Sequence, residues 1–194
     1  KARSHLADFR LTRSGRPKSP HEGFTKEEGL PEAGHADAFA DLDAFVHWLD
    51  AADEAQLALE LPTWIDVQDY ANWWILASLI DAGDSAGKNA YHYRDPRPDT
   101  TDPLFHCVPW DFNASFGQNW ATRRLGASAP IANYETKNEV FERLLASSTF
   151  APSILERYRE ALAAELSLPW VYDWLDEARA QIARAALRDE ELWG

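Results

Sequence analysis

Apolar positions change their period along this chain, and the changes mark its elements. Residues 1–34 show no sustained period. Ser14-Gly15, Arg16-Pro17, Ser19-Pro20 and Leu30-Pro31 punctuate a polar stretch that reads as extended or looped chain. From Asp37 to Ala52, Phe39, Leu42, Phe45, Val46 and Leu49 recur at helical spacing and predict an amphipathic helix. Leu57 to Pro62 reads as a short connector. Asp66 stands where a helix through Ile80 begins, and its carboxylate suits an N-cap because it accepts from an otherwise unpaired N–H of the first turn. Val67, Tyr70, Ala71, Trp74 and Ser78 mark one face of that helix, while Trp73, Ile75, Leu76 and Leu79 fill much of the rest. A helix that is apolar nearly all round is central and buried. It runs straight into Asp81–Asn89, a loop of small and polar residues, and a rigid buried helix feeding such a loop is suited to mounting a site.

The period then shortens. Tyr91 and Tyr93 alternate with Ala90 and His92 in Ala90–Arg94, and Leu104–Trp110 follows after the turn-rich Asp95–Pro103, which holds three prolines. The two runs predict a β-hairpin with a long loop. Residues 112–126 are irregular, and from Asn133 the chain is helical again, over Lys137–Ala146, Ala151–Leu166 and Pro169 to Leu192. Pro152 and Pro169 fall near helix starts, where a missing N–H costs nothing. In the last helix Val171, Trp174, Leu175, Ala178, Ile182 and Ala185 mark a stripe expected to be buried. The fold class is α+β, mostly α. An irregular leading segment, 1–36, precedes a helical body, 37–194.

Composition narrows the function. The 194 residues suffice for one domain with a core, and nine Trp, nine Phe and six Tyr favour a well-filled one. No apolar run approaches the roughly 20 residues that span a bilayer, and no basic stretch followed by an apolar one marks a signal peptide. The chain opens on Lys1, as expected of a piece of a longer protein; it also contains no Met, which reads as chance or as methionines missing from the sequence, whose loss would hide gaps in the spacing. A single cysteine, Cys107, excludes an internal disulfide and a cysteine-based zinc cluster, and reads as a small apolar residue on a strand. The net charge of −13, spread over the helices, argues against nucleic acid or an anionic membrane as partner. Lys1, Arg3, Arg10, Arg13, Arg16 and Lys18 make the first stretch locally basic. It reads as an exposed loop, with an edge that meets phosphate or a partner segment as the alternative.

Two acidic motifs flank the hairpin: Asp84-Ser-Ala-Gly-Lys-Asn89, and Pro109-Trp-Asp-Phe-Asn-Ala-Ser-Phe-Gly117. Folding the hairpin brings Asp84, Asn89 and Asp111 toward one another. Phosphoryl transfer needs a carboxylate to orient the attacking hydroxyl and oxygen ligands to hold magnesium against the phosphates. In protein kinases that carboxylate and an Asn share a loop with four residues between them, and an Asp-Phe pair follows a short hairpin. Here four residues also separate Asp84 from Asn89, and Asp111-Phe112 follows a hairpin. Asp84 is then the positioning carboxylate, Lys88 a neutraliser of phosphate charge or an exposed loop lysine, and Asn89 and Asp111 the metal ligands. Each also has a plainer reading. Asp84 would cap a turn, Asp111 would be a satisfied buried acid, and Asn89 would hold the loop. Asp81 is a rival to Asp84 for the carboxylate role and, nearer the helix end, would otherwise cap or support the loop locally. Asp84 and Asp111 as the carboxylate pair of a glycoside hydrolase form a further alternative. His92 and His106, if they face each other across the strands, offer two zinc ligands without a fixed third. Trp110 reads as core packing, with stacking on a sugar or base as its alternative, and Trp120 stays open between the two.

At these motifs the chain resembles the CotH (spore coat protein H) family of atypical protein kinases. The resemblance lies in Asn89-Ala-Tyr-His-Tyr93, in Pro109–Gly117, in Trp64–Tyr70 entering the central helix and in Glu139–Leu145 opening the helical tail, and it covers roughly residues 60 to 190. It implies the C-terminal catalytic lobe of a protein-kinase-like fold, with a β-hairpin bearing the metal site and the N-terminal lobe absent. It also implies ATP with Mg2+ or Mn2+, a protein substrate phosphorylated on Ser or Thr, and an extracytoplasmic, envelope or spore-surface location. Asn113 stands where many relatives carry Asp; it offers a metal oxygen without charge. The absent lobe, expected to supply a phosphate-binding Lys and the cover over the nucleotide, is itself an expected partner, and the chain alone is expected to turn over poorly. A non-catalytic surface or adhesion protein keeping the same fold is the alternative function.

Overall fold

The computed structural model describes residues 1–95, 97, 99–119, 121–126, 128–129 and 134–193. Trp120 and Asn133 lie outside them. In chain order the elements are β1 (Thr12–Arg13), β2 (Arg16–Pro17), α1 (Ala40–Ala51), α2 (Glu54–Trp64), α3 (Val67–Leu79), β3 (Ala90–Tyr93), β4 (His106–Pro109), a 3-10 turn at Glu135–Lys137, α4 (Glu139–Ala146), α5 (Ala151–Ala163) and α6 (Leu168–Trp193). The architecture is α+β, mostly α, with two small two-stranded sheets. The chain divides into two compact units, Lys1–Ile154 and Leu155–Gly194.

In the first unit α3 is the central element. Asp66 caps it, its Oδ1 accepting from Asp69 N–H at 3.0 Å. Tyr70, Ala71, Trp73, Trp74, Ile75 and Ala77 are buried along it. Phe9 meets Tyr70 edge-on, and Trp73 meets Phe141 of α4 with ring centroids 4.8 Å apart. α1 contributes Leu42, Phe45, Val46 and Leu49 to the core.

The expected connector at Leu57–Pro62 is instead part of a helix. Asp53 and Gln56 cap α2 reciprocally, the Asp53 side chain accepting from Gln56 N–H at 2.9 Å and the Gln56 side chain from Asp53 N–H at 3.1 Å. Leu57 and Leu61 are buried. Pro62 falls in the last turn, where only one backbone bond is forfeited and little helix remains to be broken.

β3 and β4 pair antiparallel in the register Ala90↔Pro109, Tyr91↔Val108, His92↔Cys107 and Tyr93↔His106. One face is closed by Cys107 and Ala90, both buried; the other leaves Tyr91, Tyr93, Val108 and Trp110 exposed. The hairpin is anchored at both ends. A parallel bridge, Ile65↔Phe105, ties β4 to the start of α3, and Ala2 bridges Ala90 on the outer edge of β3.

Ala2 shows that the leading segment belongs to this unit. Asp8, 2% exposed, pairs with Lys18 and Arg13, each at 3.1 Å, and its carbonyl accepts from Glu139 N–H at 2.8 Å. The basic stretch is therefore no plain exposed loop: two of its cations neutralise a buried acid, and Arg10 pairs with Glu139 and Glu142. In α6 no residue is buried: of the stripe read as buried, Trp174, Leu175, Ile182 and Ala185 are exposed and Val171 and Ala178 half-buried. Its period reports amphipathicity, and amphipathicity alone does not bring a covering surface.

Candidate active site

The loops that leave α3 and β4 meet at the C-terminal end of α3. The Phe116 N–H donates to Ile80 O at 2.5 Å and Ala82 N–H to Ala77 O at 2.9 Å, which folds both loops against the helix end. Asp81, with φ +50°, accepts from Tyr134 O–H at 2.5 Å. Burial raises the Tyr134 phenol and the bond to Asp81 raises it further, so it stays protonated. Asp81 is thereby occupied in holding the loop. Gly87, at φ +81°, packs so tightly that a Cβ there would lie 2.8 Å from Lys137 Cβ.

On this floor the loop side chains converge. Asn89 is 7% exposed, and its Nδ2 donates to Asp84 Oδ2 at 3.2 Å and to Asp84 O at 3.3 Å. Lys88 Nζ lies 2.9 Å from Asp84 Oδ1. The Asp111 segment joins by its backbone: Ser85 Oγ donates to Asp111 O at 2.5 Å, and Trp110 N–H donates to Asn89 O at 2.8 Å. Asn89 and Asp111 are both left-handed, at φ +56° and +63°, a conformation that Asn and Asp tolerate better than other residues with a side chain.

Asp84, Lys88 and Asn89 thus form one contact cluster, and Asp111 is bonded to the same loop. The Asp111 side chain is exposed rather than a satisfied buried acid, and among the described residues its carboxylate has no partner. Asn113 is exposed; its carbonyl accepts from Gln118 Nε2, and no bond among the described residues ties it to Asn89 or Asp84. Asn89 Oδ1 likewise accepts no hydrogen bond among them. An amide oxygen and a carboxylate left open in this way suit a hard divalent cation, to which Asn113 would add a neutral oxygen.

Several neighbours were not legible in advance. Burial, then the charges of Lys88 and Lys137, lower the His5 pKa while Asp84 opposes them, so His5 lies within reach of the charges on this loop and is held neutral. Ser85, next to Asp84 in sequence, is fully buried. Trp110, expected in the core, is 38% exposed beside Tyr91 with ring centroids 6.1 Å apart, and Lys1 Nζ sits 4.1 Å above its ring. A side chain at the end of a short edge hairpin has no second layer above it. Beside this face opens a cavity of about 420 Å³ lined by Tyr91, Tyr93, Arg94, Phe39 and Phe105.

The two hairpin histidines do not face each other. Pairing with Cys107 and Tyr93 puts them on opposite faces, which removes the shared zinc site. His92 Nδ1 bonds to Tyr70 Oη at 2.9 Å inside a box of Phe9, Phe24, Tyr70 and Trp73. His106 lies between Asp69, 2.7 Å from Nδ1, and Asp102, 2.9 Å from Nε2. Asp66, Asp69 and His106 bring possible ligand atoms within 4.8 Å of one another. Both imidazole nitrogens are already committed there, to Asp69 and Asp102.

The family model for CotH kinase protein matches residues 4–194. This chain belongs to the CotH kinase family. No curated protein matches it. The family match takes in the loop carrying Asp84, Lys88 and Asn89 and the segment carrying Asp111 and Asn113, together with most of the leading segment. Within this CotH kinase chain those five residues sit on two loops that share the C-terminal end of α3. Among the described residues no helix is long and apolar enough to cross a membrane.

Proposed function

We propose that this chain carries the phosphoryl-transfer site of a CotH kinase, on a lobe like the C-terminal lobe of protein kinases, and transfers phosphate from Mg-ATP to Ser or Thr of surface or coat proteins. The observation that carries the reading is the side-chain bond between Asn89 and Asp84, made on a loop to which Asp111 is bonded through Ser85. Asp84 would accept a hydrogen bond from the substrate hydroxyl and orient it for attack, through an oxygen that Lys88 or Asn89 now engages. Lys88, paired with Asp84, would offer positive charge beside the transferred phosphate. Asn89 and Asp111 would hold magnesium (or manganese), with Asn113 as a neutral third oxygen. The metal supplies charge neutralisation at the phosphates. Tyr91 and Trp110, exposed beside the cavity, give the nucleotide base an aromatic surface to lie on.

The test is metal-dependent phosphorylation by the full-length protein, followed with radiolabelled ATP. Asp84→Ala and Asp111→Ala are each expected to abolish Mg-dependent incorporation while leaving the chain folded by circular dichroism. A second reading, a non-catalytic surface protein on the same fold, is favoured by the engagement of both Asp84 carboxylate oxygens, one by Lys88 and one by Asn89. Incorporation equal to that of the parent in both variants would establish that second role.

A further inference from the structure

We propose that Ser85 is a positioning residue that aims the Asp111 carboxylate; the inference rests on the phosphoryl-transfer reading above and extends it. Three observations combine. Ser85 has no exposed surface. All three of its polar groups are committed: its N–H donates to Ala82 O at 3.0 Å, its carbonyl accepts from Trp73 Nε1 at 2.9 Å, and its hydroxyl donates to Asp111 O at 2.5 Å. Asp111, in turn, is left-handed, and its side chain has no partner among the described residues.

The direction of the Asp111 carboxylate therefore depends on its backbone. A non-glycine residue leaves the left-handed region for extended chain unless its surroundings hold it there. Two bonds hold this stretch: Trp110 N–H to Asn89 O, which sets the residue before, and Ser85 Oγ to Asp111 O, which sets Asp111 itself. The first leaves the Asp111 peptide free to rotate; the second does not. Ser85 is in turn fixed by an indole of α3, so the path runs from the buried helix through one hydroxyl to the metal-binding segment. Because Ser85 also follows Asp84 directly, the same contact keeps the positioning carboxylate and the metal carboxylate in register.

A hydroxyl acting through a ligand rather than on the reacting atoms should alter metal affinity in particular. Groups that orient metal ligands typically change affinity or activity roughly 10–100-fold when removed. The experiment is an electron-paramagnetic-resonance titration of the full-length protein with Mn2+ alone, with Asp111→Ala defining the site. Ser85→Ala is expected to weaken the Asp111-dependent Mn2+ binding by about 10–100-fold. Ser147→Ala removes another buried hydroxyl, one bonded to Glu54, and is expected to leave Mn2+ affinity at the parent value. Ser85→Cys, nearly isosteric but a weak donor, is expected to fall between parent and alanine, and it supplies the reading if the alanine chain does not fold. Parent-like affinity in a folded Ser85→Ala or Ser85→Cys chain overturns the role of Ser85 alone. A parent protein with no Asp111-dependent Mn2+ binding overturns both this inference and the proposed function.

Discussion

His92 and His106 sit on paired strands yet shift in opposite directions, because one faces the core and the other a pair of acids. Burial lowers the His92 pKa to about 3, so the folded chain keeps this imidazole neutral. Partial burial works against charge on His106 too, but the hydrogen bonds to Asp69 and Asp102 outweigh it and raise its pKa. Both of its partners are acceptors, so only the imidazolium, with two N–H groups, satisfies them together. The sign of each contribution follows. His106 stabilises the fold fully below its ordinary pKa of about 6.5, and this is lost as pH rises through the raised folded value. His92 destabilises as pH falls from about 6.5 toward about 3, because only the unfolded chain can take up the proton. Urea unfolding across about pH 5 to 9 is expected to show stability declining on both sides of an interval near pH 6.5. His106→Gln should abolish the decline above it and leave the one below; an unchanged upper limb would show that His106 is not its source. At this scale the chain was partly legible. Asp66 could be read as a cap because its partner lies three residues on, whereas the two histidines depended on strand register.

At the scale of elements, α2 shows local chemistry overruling a breaker. Pro62 invited a connector, but Asp53 and Gln56 satisfy two orphan N–H groups at the other end, and Leu57 and Leu61 are buried. Asp53→Ala should therefore lower unfolding stability by about 1 kcal/mol, read from the urea midpoint at unchanged slope. A shift indistinguishable from zero would mean that burial of the two leucines, not the cap, holds the helix. The hairpin was legible from alternation, since Tyr91 and Tyr93 do lie on its open face. Its attachment was not. The bridges Ile65↔Phe105 and Ala2↔Ala90 join residues 40 or more positions apart, and no periodicity records such a pairing. α6 marks the converse limit, because its stripe was read correctly as a pattern and wrongly as buried.

For the molecule as a whole, the leading segment matters more than its composition indicated. Asp8, Lys18 and Arg13 lock it down, and the Asp8 carbonyl reaches α4 while Ala2 pairs beside Asn89. Lys18 and Asp8 side chains are each 3% exposed, so removing one charge strands the other in a poorly solvated place. Asp8→Asn is expected to destabilise the chain by roughly 3 kcal/mol or more. Hydrogen exchange at Ala2 and Asn89 should accelerate with it, since both N–H groups bond across the edge that the segment forms. Unchanged protection at those two amides would show that the segment is held independently of the ion cluster.

Local chemistry was sufficient for everything set by near neighbours: the capped central helix, the alternating strands, the motif Asp84–Asn89 and the family resemblance it carries. Contacts within a few residues are encoded in spacing, and spacing can be read directly. The long-range pairings were decided only in three dimensions: Ser85 on Asp111, Lys137 against Gly87, Asp8 between two cations, and opposite faces for His92 and His106. Those contacts depend on which surfaces the packed core brings together, a property of the whole set of burials and hydrogen bonds and of no single stretch of chain.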